Sequence, residues 1–582
     1  MKDRVVIKVA GAAGQGIKTA GLVLAKALKR AGYASFGYTE YPSLIRGGHN
    51  VFQVEISTQK ISSVSQHLNI LLALNEESVK LHRNELVEGG VILFDEGTFK
   101  VSEELAAQVK ESNLNMIGLP LLQLAKDSGG TAIMKNTVSL GAVWKVFGLD
   151  LAILQDLIAE LFNKSEEIVA TNRKCAEAGY NHVSDEAASS TKLPKSDSQY
   201  ADDLIIGGNE ALGLGAIAAG VRLYSSYPMT PASSILSYLA KEGTRYGMVV
   251  KQAEDEITAA NMVIGASVAG TRAMCATSGG GFDLMTEAVS LAGITETPFV
   301  VVLGQRPGPA TGVPTWTAQG DLNLALHGGH GEFPRIVLAA GDPQEAYRLI
   351  QIAHNYADLY QTPVILLTDK YLAESYFCVD NLTGEPVPVD RGRLVTGEEA
   401  ADRAEAMRYA ITDDGISERW LPGSQGNTYL ANSDEHTEKG YSTEEANEIT
   451  AMMAKRLRKG DTIAAAVPEP DVFGEQDQPE LLIISWGSNK TLILDAMEEF
   501  PDRKISYVHY THMWPLKTER VRKLIDAAEY VFSLEVNATG QFTQLLSTQT
   551  GIQILDRKLK YDGRPFYIEE LRTFISEALA HH

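Results

Sequence analysis

Cysteine is scarce: Cys175, Cys275 and Cys378 are the only three in 582 residues, and they stand far apart. That spacing gives no disulfide framework and suits a reducing compartment. A 4Fe-4S cluster takes four thiolates as a rule, so this chain alone cannot hold one. Its 12 histidines do not pair with cysteine at zinc-type spacing either. Positive charge is also short. Against 74 Asp and Glu there are 52 Lys and Arg, a formal charge of -22, and no basic run makes a local exception. A field of that sign repels nucleic acid and anionic membrane surfaces. Long apolar runs are missing as well: the opening MKDRVVIKVAGAAGQGIKTA scatters charge through its apolar part, and no later segment offers the roughly eighteen apolar residues of a membrane span. The expectation is a cytoplasmic protein with no nucleic-acid partner and no membrane span.

What is present alternates. At this length about three or four domains are expected, each able to bury a core. VVIKVAGAAGQGIKTAGLVLAKALKRAGY reads as a buried strand, a glycine turn and an amphipathic helix, opening an α/β domain over 1–183. Its glycines run GxxGxG, not the dinucleotide order GxGxxG, with Glu40 at about the distance of a ribose-binding acid; an anion at the helix start and tight packing both explain them. SDEAASSTKLPKSDSQYADD, over 184–203, is polar and without periodicity, as expected of a solvated linker. From 204 to 385, helices and apolar strands alternate, which indicates a parallel sheet covered on both faces. Residues 386–475 are charged and irregular and are expected to wrap around a neighbour; a smaller α/β domain, 476–582, completes the chain.

Three loops of the central domain leave strand ends and should share one rim: SYPMTP, TSGGGF and GQRPGPATGVPT. In the first, two prolines fix the backbone around Thr230, which reads either as an ordinary capped turn or as a hydroxyl held in place. The third carries Arg306 between proline-stiffened segments, where a guanidinium can grip a carboxylate or simply form a surface ion pair. Glu254, Asp255 and Glu256 precede the small-residue helix of EDEITAANMVIGASVAG; acids there are caps, or one of them trades a proton with a heterocycle.

YPMTPAS, EDEITAANMVIGASVAG, ATSGGGF, GPATGVPT…QGDL and EVNATGQ, in that order, resemble blocks of the alpha subunit of 2-oxoacid:ferredoxin oxidoreductases, and the N-terminal GAAGQGIKTA…GGHN resembles their gamma subunit, fused ahead of it. The likeness covers nearly the whole chain. It implies a multi-domain α/β protein: a gamma-type domain, a pyrimidine-type parallel-sheet domain that binds thiamine diphosphate, and a transketolase C-terminal-like domain. The implied activity is oxidative decarboxylation of a 2-oxoacid with coenzyme A, electrons passing through iron-sulfur clusters to ferredoxin, and in many members also the reverse.

By the same resemblance Glu256, with Glu254 as fallback, meets the cofactor's aminopyrimidine N1′, and Tyr227, Pro228, Ser278 and Gly279 contact the cofactor. Thr230, Arg306 and Thr315 bind the substrate. Thiamine diphosphate also needs a GDG motif with paired asparagines for Mg2+ and the diphosphate; neither occurs here, and GDP at 341–343 is a poor substitute. That half and the 4Fe-4S cysteines are therefore expected on a beta subunit, in an alpha2beta2 assembly. A dicarboxylate such as 2-oxoglutarate would need a second cation, for which Arg46, with His49, is the candidate. Where the family pattern reads PTKTEQGDL this chain has PTWTAQGDL; Trp316 and Ala318 keep pyruvate and branched or aryl 2-oxoacids open. Two readings of other classes stand beside these: a noncatalytic scaffold subunit, and an NAD-dependent oxidoreductase built on the glycine turn.

Overall fold

A computed structural model describes residues 3–44, 47–187, 191–396, 407–424 and 429–580. The chain divides into two compact units. The first comprises residues up to Ile206 together with Ser375–Asn381 and Tyr567–Thr573, and the second holds the remainder. No helix among the described residues is long and apolar enough to cross a membrane.

The first unit is built on an eight-stranded sheet in the order Asn115–Leu119, Leu86–Asp95, Leu68–Ala73, Val5–Ala12, His49–Ser57, Ala34–Glu40, Tyr376–Val379 and Leu204–Gly207. Val5–Ala12 is buried almost throughout, as its apolar run requires; it pairs parallel with Leu68–Ala73 and antiparallel with His49–Ser57. The serine-rich stretch expected as a solvated linker lies instead against this unit. Tyr33 Oη donates to Pro194 O at 2.6 Å, Ser196 Oγ to Gly32 O at 2.6 Å and Gln199 Nε2 to Thr58 O at 2.8 Å. Two side chains of the stretch donate to carbonyls of the unit, and one of its own carbonyls accepts from a tyrosine of the unit. The unit boundary therefore falls near residue 206, and a later strand, Tyr376–Val379, returns to the sheet.

The second unit contains a seven-stranded sheet in the order His512–Trp514, Ile336–Ala339, Pro363–Asp369, Phe299–Gln305, Ala273–Thr277, Leu223–Ser226 and Val249–Gln252. Six strands are parallel and His512–Trp514 pairs antiparallel at one edge. A five-stranded, mostly parallel sheet, Asp471–Gly474, Ile505–Tyr510, Leu481–Trp486, Tyr530–Glu535 and Asp556–Leu559, packs in the same unit. One apolar cluster runs from Ala259 and Val301 through Trp486 to Phe542. The segments 204–385 and 476–582 therefore share a core, and each keeps its own sheet.

Residues 386–475 are less irregular than their composition indicates. They include a 21-residue helix, Ala446–Ala466, whose buried side chains are Met452, Lys455, Arg456, Lys459 and Ile463. The spacing is helical, but three of the five are cations, so an apolar stripe never shows in the sequence. Arg456 pairs with Glu435 of the same segment, while the two lysines meet an acid at the amino ends of the central strands. Lys455 and Lys459 each lie 2.5 Å from a carboxylate oxygen of Glu296, just before Phe299–Gln305. Arg391 and Arg419 join Arg272 around Asp358, each at 2.8 Å.

Candidate functional site

The Leu223–Ser226, Ala273–Thr277 and Phe299–Gln305 strands are adjacent and parallel, with Met274 opposite both Tyr224 and Val300. Their carboxyl ends therefore share one edge, where open parallel sheets place ligands. The loop after the first strand is tied to the loop after the third: Arg306 Nη1 donates to Thr230 O at 2.8 Å. Met229 Sδ lies 3.8 Å from Thr277 Oγ1, at the end of the middle strand. Tyr227 and Pro228 occupy the exposed side of the same loop. Burial lowers the Arg306 guanidinium from its ordinary range, the charge of Asp321 opposing.

The three acids separate by environment. Asp255 is the cap: its side chain accepts from Thr258 N at 2.6 Å. Glu254 is exposed and accepts from Thr258 Oγ1 at 3.2 Å. Glu256, the first residue of the Glu256–Val268 helix, is 3% exposed, and its Oε1 has no hydrogen-bond partner among the described residues. It lies over Gly281 so closely that a Cβ there would sit 2.6 Å from Oε1 and 2.0 Å from Thr277 Oγ1. The glycines of TSGGGF thus let a carboxylate pass over the start of the Gly279–Ile294 helix. Geometry favours Glu256 over Glu254 for any role that needs a buried carboxylate with a free oxygen.

Two further buried hydroxyls on this rim, Ser278 Oγ and Thr315 Oγ1, have no partner among the described residues. A buried polar group without a partner costs about 1–3 kcal/mol, so several at one edge mark a place where a ligand completes the bonding. This is the environment that an aminopyrimidine ring of thiamine diphosphate would fit: a carboxylate oxygen for a ring nitrogen, and a glycine surface flat enough for close approach.

Beside it opens a cleft of about 510 Å³, whose walls include Ser278, Arg306, Asp321, Asn537 and Gln541. The QGDL segment is locked to the smaller sheet by Gln319, which donates to Trp486 O at 3.2 Å and accepts from Asn489 Nδ2 at 3.0 Å and Val536 N at 3.1 Å. Asp321 was not separable in the sequence from an ordinary helix-opening acid. In the structure its Oδ2 is buried without a partner among the described residues, and burial, then the charge of Asp283, pushes its carboxyl up to about 6 against the pull of Arg306. Trp316 does not line the cleft. The Arg564 guanidinium stacks 3.5 Å from its ring centroid, so that face is covered by a cation and is not an apolar pocket wall.

In the first unit, the GAAGQG turn closes on itself: Gln15 Oε1 accepts from Ala12 N at 2.6 Å, and Ala13 N donates to Gly48 O at 3.0 Å. Gly16 sits at φ 76°, and a Cβ there would meet Asn136 Nδ2 at 2.4 Å. Backbone conformation and packing account for that glycine with no nucleotide. His49 Nε2 lies 2.7 Å from His82 Nε2, and His82 Nδ1 lies 2.8 Å from Glu85 Oε1. Burial, then the charges of His82 and Lys8, lowers His49 to about 4, so at neutral pH it offers a hydrogen bond but no charge. Arg46 lies outside the described residues.

Fold and rim together define a subunit of a thiamine-dependent enzyme: a parallel-sheet domain with a helix-opening buried glutamate, coupled to a smaller α/β domain. The family model described as pyruvate flavodoxin/ferredoxin oxidoreductase, thiamine diphosphate-binding, matches residues 214–455. A second, pyruvate ferredoxin/flavodoxin oxidoreductase, matches residues 6–182. The 2-oxoacid:ferredoxin oxidoreductase subunit alpha of Saccharolobus solfataricus is 32% identical, over 98% of this chain and 97% of its own. The 2-oxoglutarate oxidoreductase subunit KorA of Mycobacterium tuberculosis is 28% identical, over 99% and 92%. Among solved structures, the 2-oxoglutarate:ferredoxin oxidoreductase from Magnetococcus marinus, with 2-oxoglutarate, coenzyme A and succinyl-CoA bound, matches with a TM-score of 0.90 and 30% identity over 100% of both chains. The chain belongs to the alpha subunits of the 2-oxoacid:ferredoxin oxidoreductases. Residues 214–455 hold its thiamine-diphosphate-binding domain.

Proposed function

We propose that this alpha subunit serves an enzyme that oxidatively decarboxylates a 2-oxoacid, 2-oxoglutarate above others, with coenzyme A to an acyl-CoA and CO2, reducing ferredoxin, and that it also runs in the carboxylating direction. The observation that carries the reading is the buried Glu256 with its unpartnered Oε1, on the rim that also holds Arg306. The preference for 2-oxoglutarate is supported by the ligands of the Magnetococcus marinus enzyme and by the names of the Mycobacterium tuberculosis and Methanocaldococcus jannaschii relatives.

Thiamine diphosphate, when bound, supplies the nucleophilic carbon that attacks the 2-oxo group. Glu256 would share a proton with the aminopyrimidine N1′, and Ser278 and Gly279, with Tyr227 and Pro228, would hold the ring. Arg306 takes the substrate carboxylate, since a guanidinium that gives one N–H to Thr230 O has others for a pair of parallel bonds. Thr230 and Thr315 donate hydroxyl hydrogen bonds beside it. The backbone of Thr230 is fixed by its prolines and by Arg306, so its donor is oriented before charge develops. Arg46 supplies the second cation for a dicarboxylate, with His49 as a neutral neighbour. The beta subunit supplies the Mg2+-diphosphate half of the cofactor site and the 4Fe-4S cluster in a cytoplasmic alpha2beta2 assembly, and ferredoxin takes the electrons.

The test is turnover of the complex purified with its beta subunit, reading reduction of ferredoxin or a viologen dye. A higher kcat/KM for 2-oxoglutarate than for pyruvate, dependent on coenzyme A, is expected. Reduction of NAD in place of ferredoxin, or turnover indifferent to coenzyme A, would contradict the proposal.

A further inference from the structure

Asp321 is held in place by its backbone and left unbonded at its tip. Its N–H donates to Gln305 Oε1 at 3.1 Å, and its carbonyl accepts from Ala325 N at 3.0 Å. It stands immediately before the Leu322–His327 helix, where an aspartate ordinarily caps the first amides, yet it makes no side-chain cap. Asn323 N is served by Gln541 Oε1 instead, at 3.0 Å. The carboxylate turns across the cleft wall to the start of the neighbouring helix. A Cβ on Gly279 would sit 2.9 and 3.0 Å from its two oxygens, and Oδ2 is buried with no donor among the described residues. A buried carboxylate oxygen with no donor is an expensive arrangement, and it persists where a ligand completes it.

The charges around it decide which ligand. Asp283 and Arg306 face Asp321, and Arg306 is the one cation among the residues lining the cleft. Two carboxylates make a poor neighbourhood for phosphate, and Arg306 is committed to the substrate carboxylate in the reading above. What the Asp321 side accepts is a neutral N–H or O–H group. Elsewhere in the wall, Ala318, Leu324, Val536 and the glycines suit methylene chain, and Ser278, Asn537, Thr539 and Gln541 add polar groups. Coenzyme A carries such a piece between its phosphates and its thiol: a flexible arm with two amides and a hydroxyl. A cleft of about 510 Å³ is within the range that binds ligands of that size.

We propose that Asp321 contacts coenzyme A directly, its Oδ2 accepting a hydrogen bond from an N–H or O–H of the arm. The inference rests on the coenzyme A reading of the proposed function. It is tested in the assembled complex with Asp321→Leu, close in shape and without an acceptor, and Asp321→Asn, which keeps one. Three quantities are read: the Kd for coenzyme A by calorimetry, the KM for each substrate, and the rate of a single turnover with 2-oxoacid and dye but no coenzyme A. Asp321→Leu is expected to raise the coenzyme A Kd and KM about 10-fold, and Asp321→Asn about two- to threefold, as for one hydrogen bond to a charged group lost or kept. The 2-oxoacid KM and the coenzyme-free rate change less than the coenzyme A Kd does, because Asp321 reaches them only through its charge on Arg306. An unchanged coenzyme A Kd in Asp321→Leu overturns the inference. So does a change confined to the 2-oxoacid KM and the coenzyme-free rate, which would give Asp321 to the substrate. Wild-type enzyme that neither binds nor requires coenzyme A overturns the proposed function, and this inference with it.

Discussion

The two ends of the central sheet bury acids in opposite ways. At the amino ends, Glu296 holds Lys455 and Lys459 at 2.5 Å each, with Arg408 donating to its carbonyl at 2.8 Å. Asp358 there gathers three arginines at 2.8 Å. At the carboxyl ends, Glu256 and Asp321 each keep a buried oxygen with no donor among the described residues. Glu256 is buried as deeply as Glu296 and Asp358, and Asp321 less so; satisfaction is what divides the two ends. A buried charge with full partners fixes geometry, and breaking its pair is costly. A buried charge left short of partners weakens the fold and is retained where a ligand supplies the rest. The described residues of 386–475 thus supply cations to the amino ends of the sheet.

Substitutions at the two ends should part activity from stability. Glu256→Gln is expected to lower turnover of the assembled complex by about 10²- to 10⁴-fold, the usual worth of a positioned proton-transfer group. Its urea midpoint should not fall, since no internal bond to Oε1 is lost. Glu296→Gln should do the reverse. It strands two lysines in the interior and costs about 3–5 kcal/mol by urea denaturation, with turnover per folded molecule unchanged. Arg306→Lys, which keeps the charge and loses the paired N–H geometry, should lower kcat/KM for the 2-oxoacid by about 10- to 100-fold.

The smallest effect is a pH slope. Asp321 rises from an ordinary 3.8 to about 6 in the folded chain. The unfolded chain therefore releases this proton first as pH rises. The stability associated with the group is fully present below about pH 4 and is lost as pH passes through about 6. Asp321→Asn removes that loss. Relative to wild type it should gain on the order of 1–2 kcal/mol above pH 7 and nothing near pH 4, read from denaturation curves at both values. A gain that does not depend on pH would mean that the carboxylate is satisfied after all.

How much of this was legible in the sequence follows the same division. Apolar strands alternating with helices showed the central parallel sheet, and the loops leaving its strand ends showed where Thr230 and Arg306 meet. The resemblance put Glu256 first with Glu254 as fallback, and the fold separates the two by environment, Glu256 turned inward and Glu254 exposed. The Ala446–Ala466 helix stayed hidden because its inward face is Lys455, Arg456 and Lys459, which composition assigns to solvent. The 184–203 stretch read as linker because contacts such as Ser196 donating to Gly32 O and Pro194 O accepting from Tyr33 leave no hydrophobic period. Asp321 was obscured in the same manner: an acid opening a short helix is ordinarily a cap, and only the side chain's direction shows that it is not.

The central claim is that Glu256 keeps a buried oxygen free for the cofactor's ring nitrogen. The most direct measurement is the rate at which the C2 proton of thiamine diphosphate exchanges with deuterium in the assembled enzyme, in wild type and in Glu256→Gln. The account predicts that the substitution slows exchange by about two orders of magnitude or more while the complex still assembles. Exchange at the wild-type rate in Glu256→Gln would contradict it.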